Sequence, residues 1–364
     1  MTERHMWWKA LGVILMLIVL TKGLLTPLKH GIVDIHPDRF NAGKEVRFEI
    51  TAYNSHYISH PDQINVYLKH IGDSKQKERS VDFILKSKLV KPLNENQIEV
   101  QFDLPAHLPD SRKLALFTVI VESPYDGAAA IPSKIIIQQD SINLENGIQA
   151  WSVTDKPNFH LPNKFDFPYR NILVETIRNT FFHVSLWFAM FLLFGMSVYY
   201  SIKFLRYNIP DADMRAFALV RTGLLFGILG CLTGSLWARY TWETWWTSDI
   251  KLNMAALTIL IYLSYLVLRA SIEDKDRKAR ISSAYNIFAL VAVIPLIFVL
   301  PRLTDSLHPG NGGNPAIGAD DMDNALRIIF YPAVLAFMLI GLWMASLLYR
   351  SDKISNFIEE KYNN

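Results

Sequence analysis

Apolar residues are arranged along this chain in two ways. Between residues 28 and 140 they alternate with polar ones; on either side they gather into long unbroken runs. Six runs, at residues 7–25, 180–205, 217–237, 252–268, 284–300 and 328–348, approach the roughly 20 apolar residues that carry a helix across a bilayer. They predict an α-helical polytopic membrane protein with six transmembrane helices. The first run has a basic start and the position of a signal peptide. Its apolar stretch is long for one and no small-x-small cleavage site precedes Pro27, so a retained anchor is expected. Alternation marks Val46, Phe48 and Ile50 in EVRFEITAY, and recurs in INVYL, QIEVQFDLP and KLALFTVIVESP, each segment bounded by Pro, Gly, Asn or Asp. Short strands at this spacing predict an inserted all-β domain, an immunoglobulin-like sandwich. From 141 to 171, Pro157, Pro162 and Pro168 among aromatics predict an irregular connector. The expected organisation is an anchor at 1–27, a β domain at 28–140, a connector at 141–171, a five-helix membrane domain at 172–350 and a tail at 351–364.

Charge gives the runs a direction. Lys203, Arg206 and Arg215 follow the second run, Arg269, Lys275, Arg277, Lys278 and Arg280 follow the fourth, and Arg350, Lys353 and Lys361 close the chain. The alternate links are poorer in cations, with Arg239 and Lys251 in one, and Arg302 and Arg327 against Asp305, Asp320, Asp321 and Asp323 in the other. Cytoplasmic loops carry the Lys/Arg excess. Both termini are therefore expected in the cytoplasm and the β domain outside it, in a cytoplasmic (inner) membrane. A net charge of +3 is too small to suggest nucleic acid.

Cys231 is the only cysteine and lies within the third run, where a lone thiol is usually a small apolar residue. No CxxCH is present for covalent haem, no CxxC for thiol redox work and no GxxxxGK[ST] for phosphate, so any ATP must be used by a partner. The β region lacks cysteine but is long enough to bury a core without a disulfide. Its histidines, His30, His36, His56, His60, His70, His107 and His160, are scattered. His56 and His60 stand four apart, but Asn54, Ser55, Ser59 and Pro61 favour a loop over a shared helix face.

After residue 171 only two histidines remain. His183 lies about a turn inside the second run and His308 in the link LTDSLHPGNGGNP; both fall on the outward side. On that side too lies TWETWWTSD, Thr241 to Asp249. Neutral imidazoles on opposite faces of a haem complete a six-coordinate iron, and an ionisable group inside a membrane segment is a functional candidate by default. The bland alternatives are an interfacial histidine for His183 and a loop histidine for His308. Interfacial enrichment accounts for Trp7, Trp8 and Trp237. It accounts less well for Tyr240, Trp242, Trp245 and Trp246 beside Arg239, Asp249 and Lys251. Stacked indoles offer a porphyrin-sized apolar shelf, and cations such as Arg239, Lys251 and Arg302 are candidate partners for propionates.

WETWWTSD resembles the tryptophan-rich WGxxWxWD signature of the cytochrome c assembly family, haem-handling membrane proteins with CcmC delivery and CcsA ligation branches. The resemblance runs from about Ile172 to Arg350, through NTFFHVSLWFAM, the motif with DIKLNMAALTILIYLSYLVLR, and PRLTDSLHPG. It implies His183 and His308 as axial ligands of a non-covalent haem b, with Trp242, Trp245, Trp246 and Asp249 on motif positions. Glu243 stands where the family usually has Gly, and Ser248 replaces a Trp. The implied function is haem binding and delivery at the outer face of the membrane during cytochrome c biogenesis, as a transporter or chaperone rather than an enzyme. Implied partners are a haem chaperone or apocytochrome c and ABC-transporter subunits. The CcsA-like haem-ligase branch, or a non-haem scaffold or permease subunit whose tryptophans only anchor it, are the alternatives.

Overall fold

The computed structural model describes residues 6–61, 63–71, 82–151, 164–308 and 322–362. The chain divides into two compact units, residues 27–174 and a unit joining residues 1–26 to 175–364.

The described part of residues 27–174 carries nine strands: β1 (Gly31–His36), β2 (Arg39–Asn41), β3 (Glu45–Tyr53), β4 (Asn65–Ile71), β5 (Asp82–Lys86), β6 (Leu89–Asn94), β7 (Gln97–Asp103), β8 (Leu114–Ser123) and β9 (Gly127–Gln138). They form a four-stranded sheet, β1-β3-β7-β6, and a five-stranded sheet, β2-β9-β8-β4-β5. All pairs are antiparallel except β2 with β9. The alternation in β3 places Val46, Phe48, Ile50 and Ala52 inside. They share one core with Ile98, Val100 and Phe102 of β7 and with Phe117, Val119 and Val121 of the other sheet.

The four alternating segments foreseen from sequence coincide with β3, β4, β7 and β8, while five strands carry weaker signals. β6 contains Pro92, tolerated because β6 is a sheet edge, where a missing N–H breaks no inner ladder. β9 is interrupted by Pro132 and by Ser133, whose φ of 52° is left-handed.

The segment expected to be a wholly irregular connector instead holds a helix, α2 (Leu144–Trp151). Its cause is a single large side chain. Trp151 is fully buried against Phe117, ring centres 4.6 Å apart, and its indole N–H donates to the His107 carbonyl. Pro157 and Pro162 lie outside the described residues. Farther on, Phe167 bridges back to Leu28, so this segment is part of the β unit.

The other unit contains α1 (Trp7–Leu25), α3 (Thr180–Tyr207), α4 (Pro210–Thr241), α5 (Ile250–Ala270), α6 (Lys275–Ile294) and α7 (Asn324–Tyr362). Among the described residues six helical spans are long and apolar enough to cross a membrane, consistent with a polytopic membrane protein. The helices outrun their apolar cores, because polar residues continue the helix once the backbone bonds are running. α7 in particular continues through 351–362, where a separate tail was expected. Pro210 opens α4 at a position that needs no N–H, with Asp211 and Asp213 favouring the positive end of its dipole. Asp249 and Asp274 cap α5 and α6, accepting from the backbone N–H of Lys251 and Arg277. At the end where α4 begins and α5 finishes, Arg269 holds Asp213 through two bonds of 2.6 and 2.8 Å.

α3 and α4 meet along a seam of glycines. A Cβ on Gly223 would lie 2.6 Å from the Phe194 ring, one on Gly227 2.8 Å from Met190 sulfur, one on Gly230 3.1 Å from Trp187, and one on Gly234 2.7 Å from His183. Those four partners, 183, 187, 190 and 194, form one face of α3. Small residues let helices approach where water supplies no hydrophobic drive between them. Gly195 on α3 lies off the seam, with nothing within 4 Å of its would-be Cβ. Gly223→Ala is expected to destabilise the helical unit by about 1–3 kcal/mol through overpacking. Gly195→Ala should stabilise it by about 0.5–1 kcal/mol by removing backbone freedom. Thermal unfolding of both variants in detergent checks the pair; equal melting points would disprove the seam.

Candidate functional site

Short links between antiparallel helices bring the start of α3, the end of α4, the start of α5 and the chain beyond α6 to one end of the helical unit. His183 sits in the first turns of α3 and is 7% exposed. Its Nδ1 lies 3.0 Å from the Gly230 carbonyl oxygen and 3.2 Å from Thr233 Oγ1. A carbonyl only accepts, so Nδ1 carries the proton and Nε2 the lone pair. An imidazole that binds a metal through Nε2 needs this tautomer, and a hydrogen bond behind the ring of this kind commonly fixes it. Trp187 and Trp237 stand edge-on to the ring at 6.3 and 5.9 Å between centres. Trp237, expected as an interfacial residue, stands beside the candidate ligand. Its indole nitrogen is buried with no hydrogen-bond partner among the described residues.

His308 is brought to the same place by a different route. α6 gives way at Pro295 to a wide turn, Pro295–Val299, then a tight one, Leu300–Arg302, and the chain loops toward α5. The His308 ring centre lies 6.3 Å from that of His183, with the planes at 44°. A metal–imidazole bond of about 2 Å puts each ring centre about 3 Å from the metal, so two imidazoles on opposite sides stand about 6 Å apart. Rotation about the bond axis leaves the angle between rings free. The spacing fits one metal centre held between the two histidines. Residues 309–313, expected as loop, lie outside the described residues.

The link Trp242–Asp249 has two parts. Asp249 is buried and organises its surroundings: its carboxylate accepts from Lys251 N–H at 2.9 Å, Ser306 Oγ at 3.0 Å and Leu307 N–H at 2.7 Å. Burial pushes its acidity toward the neutral form, but the Ser306, Leu307 and Lys251 hydrogen bonds outweigh this and hold it below the usual carboxylate range. The tryptophans are more open. Trp242 is half-buried, Trp245 is 58% exposed and Trp246 39% exposed, its indole donating to Asn253 at 3.3 Å. Trp245 is further held through its carbonyl, which accepts from Ser235.

The candidate cations are partly committed. Arg239 donates to the Glu243 carbonyl at 2.6 Å and Lys251 Nζ reaches the His308 carbonyl at 3.4 Å, whereas the Arg302 side chain is exposed. Sequence reading missed Trp187, Gly230, Thr233, Gly234 and Ser306. The GxxxG spacing of Gly230 and Gly234 was the available sign for the glycines.

Beyond residue 168 the chain also matches known proteins. The model of the family described as heme exporter protein C (CcmC) matches residues 168–361. The chain belongs to this cytochrome c assembly family. Among similar proteins, heme exporter protein C of Bradyrhizobium diazoefficiens is 30% identical over 170 residues, covering 45% of this chain and 62% of that protein. That of Haemophilus influenzae is 24% identical over 164 residues, 44% and 64%. Cytochrome c biogenesis protein CcsA of Prochlorococcus marinus is 28% identical over 81 residues, 22% and 26%. The chain thus spans under two thirds of the length of these relatives.

Glu243, where the resemblance to the family motif leads to an expectation of Gly, adopts a φ of 59°. A side chain there is strained by roughly 1–2 kcal/mol, which glycine avoids. Glu243→Gly is expected to stabilise the turn by about 1 kcal/mol and slow amide exchange across residues 241–248 about fivefold. Unchanged or faster exchange would count against strain at this position.

Proposed function

We propose that this protein binds haem as cargo between His183 and His308 and hands it on during cytochrome c maturation. The observation that carries the reading is the pair of imidazoles 6.3 Å apart, one with its tautomer fixed for metal binding. The relatives named heme exporter protein C agree with it. Their name favours export and delivery over ligation. On this reading haem b is held without covalent attachment, since the chain has no CxxCH. Haem supplies an iron with two open axial positions; His183 presents one lone pair from a rigid helix and His308 the other from a loop. Trp242, Trp245 and Trp246 line the approach as the apolar shelf, and Arg302 is the propionate partner with the fewest commitments. A haem chaperone or apocytochrome receives the cargo, with ABC-transporter subunits supplying ATP hydrolysis.

The reading places these groups at the outer face of the inner membrane, with both termini in the cytoplasm and the β domain outside. The domain plan is the anchor, the β domain with its connector, and the five-helix haem-handling unit. Supporting the immunoglobulin-like assignment, the sheet orders β1-β3-β7-β6 and β9-β8-β4 correspond to ABED and GFC of that fold, with β2 added beside β9.

Haem per protein and the visible spectrum test the site. His183→Ala and His308→Ala should each abolish the six-coordinate spectrum, while His56→Ala should leave it alone. Trp245→Ala with Trp246→Ala should lower affinity tenfold or more, at roughly 1.5–3 kcal/mol for a fully buried aromatic. Equal spectra in all variants would remove the bis-histidine assignment. A colourless preparation from haem-replete cells would favour the scaffold alternative.

Orientation has its own check. A reporter fused after Arg280 should behave as cytoplasmic and one within residues 311–314 as extracytoplasmic; the reverse would invert the topology and detach the site from the outer face.

A further inference from the structure

His183 and His308 are held by opposite means. His183 is fixed through its ring, on a helix, by the Gly230 carbonyl. His308 belongs to a loop, and both of its backbone polar groups are tied. Its N–H donates to Ser306 Oγ at 3.1 Å, and its carbonyl accepts from Lys251 Nζ at 3.4 Å. The same Ser306 hydroxyl donates to Asp249 at 3.0 Å, and the other Asp249 oxygen takes the Leu307 N–H at 2.7 Å. Asp249 also caps α5, so the loop is fastened to the first turn of a helix. One carboxylate and one hydroxyl thus connect the start of α5 to three successive residues, 306, 307 and 308.

We infer that the Asp249–Ser306 clasp sets the position of His308, and that Ser306 is a positioning residue for the second ligand. This rests on the bis-histidine reading for its purpose, though not for its geometry. A loop without the clasp must be ordered at the moment of binding, which weakens affinity, whereas a preset loop has already been ordered. Asp249 then acts on the cargo through His308, not as part of the shelf. Its burial and its acceptance of three donors suit a clasp better than a surface for porphyrin. Ser306 is fitted to its place because a hydroxyl both donates and accepts, donating to the carboxylate while accepting the His308 N–H. Alanine does neither, and threonine does both.

Full-length protein in detergent is compared as wild type, Ser306→Ala, Ser306→Thr, Asp249→Asn and, as a control far from the site, Ser271→Ala. Without haem, exchange of the amides of 306–308 should speed up about tenfold in Ser306→Ala and in Asp249→Asn, and stay near wild type in Ser306→Thr and Ser271→Ala. In haem titrations Ser306→Ala should weaken binding about 10–100-fold, the usual effect of losing a partner that orients a metal ligand. Its haem should be partly high-spin, and added imidazole, filling the position left by His308, should restore the low-spin spectrum. A merely destabilised protein would not answer to imidazole. Wild-type exchange and spectrum in Ser306→Ala overturn the clasp, as does a Ser306→Thr variant that behaves like Ser306→Ala. If wild type takes up no haem, the bis-histidine reading falls. The exchange comparison then decides the clasp alone, and equal rates in wild type and Ser306→Ala reject it.

Discussion

The close approach of α3 to α4 is the constraint on which the rest of the site depends. Four glycines on α4 face Phe194, Met190, Trp187 and His183 in turn, so one face of α3 with bulky side chains rests against a surface without side chains. The arrangement does more than pack. With the helices this near, the Gly230 carbonyl comes within 3.0 Å of His183 Nδ1 and the imidazole acquires a defined tautomer. Gly234 leaves the space that the ring itself occupies. An Ala at either position would press on Trp187 or His183, so packing and ligand chemistry share one cause. In a bilayer this is economical, since helices there associate through van der Waals fit and interhelical hydrogen bonds.

A second consequence concerns the tryptophans. Trp187 and Trp237 border the His183 ring edge-on, whereas Trp245 and Trp246 stand substantially exposed on the link. The first two adjoin the candidate ligand and the last two belong to the open link. A tryptophan-rich signature thus names the region without separating these roles, because only helix geometry says which indoles face the histidine. Glu243 belongs to the same link, and its left-handed backbone is held by the Arg239 guanidinium on its carbonyl. A cation considered for propionate binding is thereby partly occupied in keeping a strained turn closed.

Much of the fold was legible because it follows from periodicity. Six apolar runs gave six helices, and alternation found β3, β4, β7 and β8. What escaped was determined by tertiary contact. α2 exists because Trp151 fills the β core, and β6 is a strand despite Pro92 because it is an edge. At the site, His183, His308 and Asp249 were visible as residue types, and the structure brings them together. Ser306 was not visible, since a serine in a loop carries no periodic signal and its meaning lies in a carboxylate 57 positions away.

The unequal holding of the two histidines bears on how a carrier can bind and still release. His183 is buried, on a helix and bonded through its ring, so moving it would disturb the α3–α4 seam. His308 lies in three residues of loop that one carboxylate, one hydroxyl and one ammonium help to hold. That attachment reaches the first turn of α5 and not the α3–α4 seam. On the bis-histidine reading, the loop side is therefore where an incoming acceptor displaces a ligand at least structural cost, and the helix side is where iron stays bound longest. Hydrogen bonds of this kind contribute individually about 0.5–1.5 kcal/mol, more where a charge is involved. A few together are strong enough to preset a loop and weak enough for a partner's contacts to outcompete.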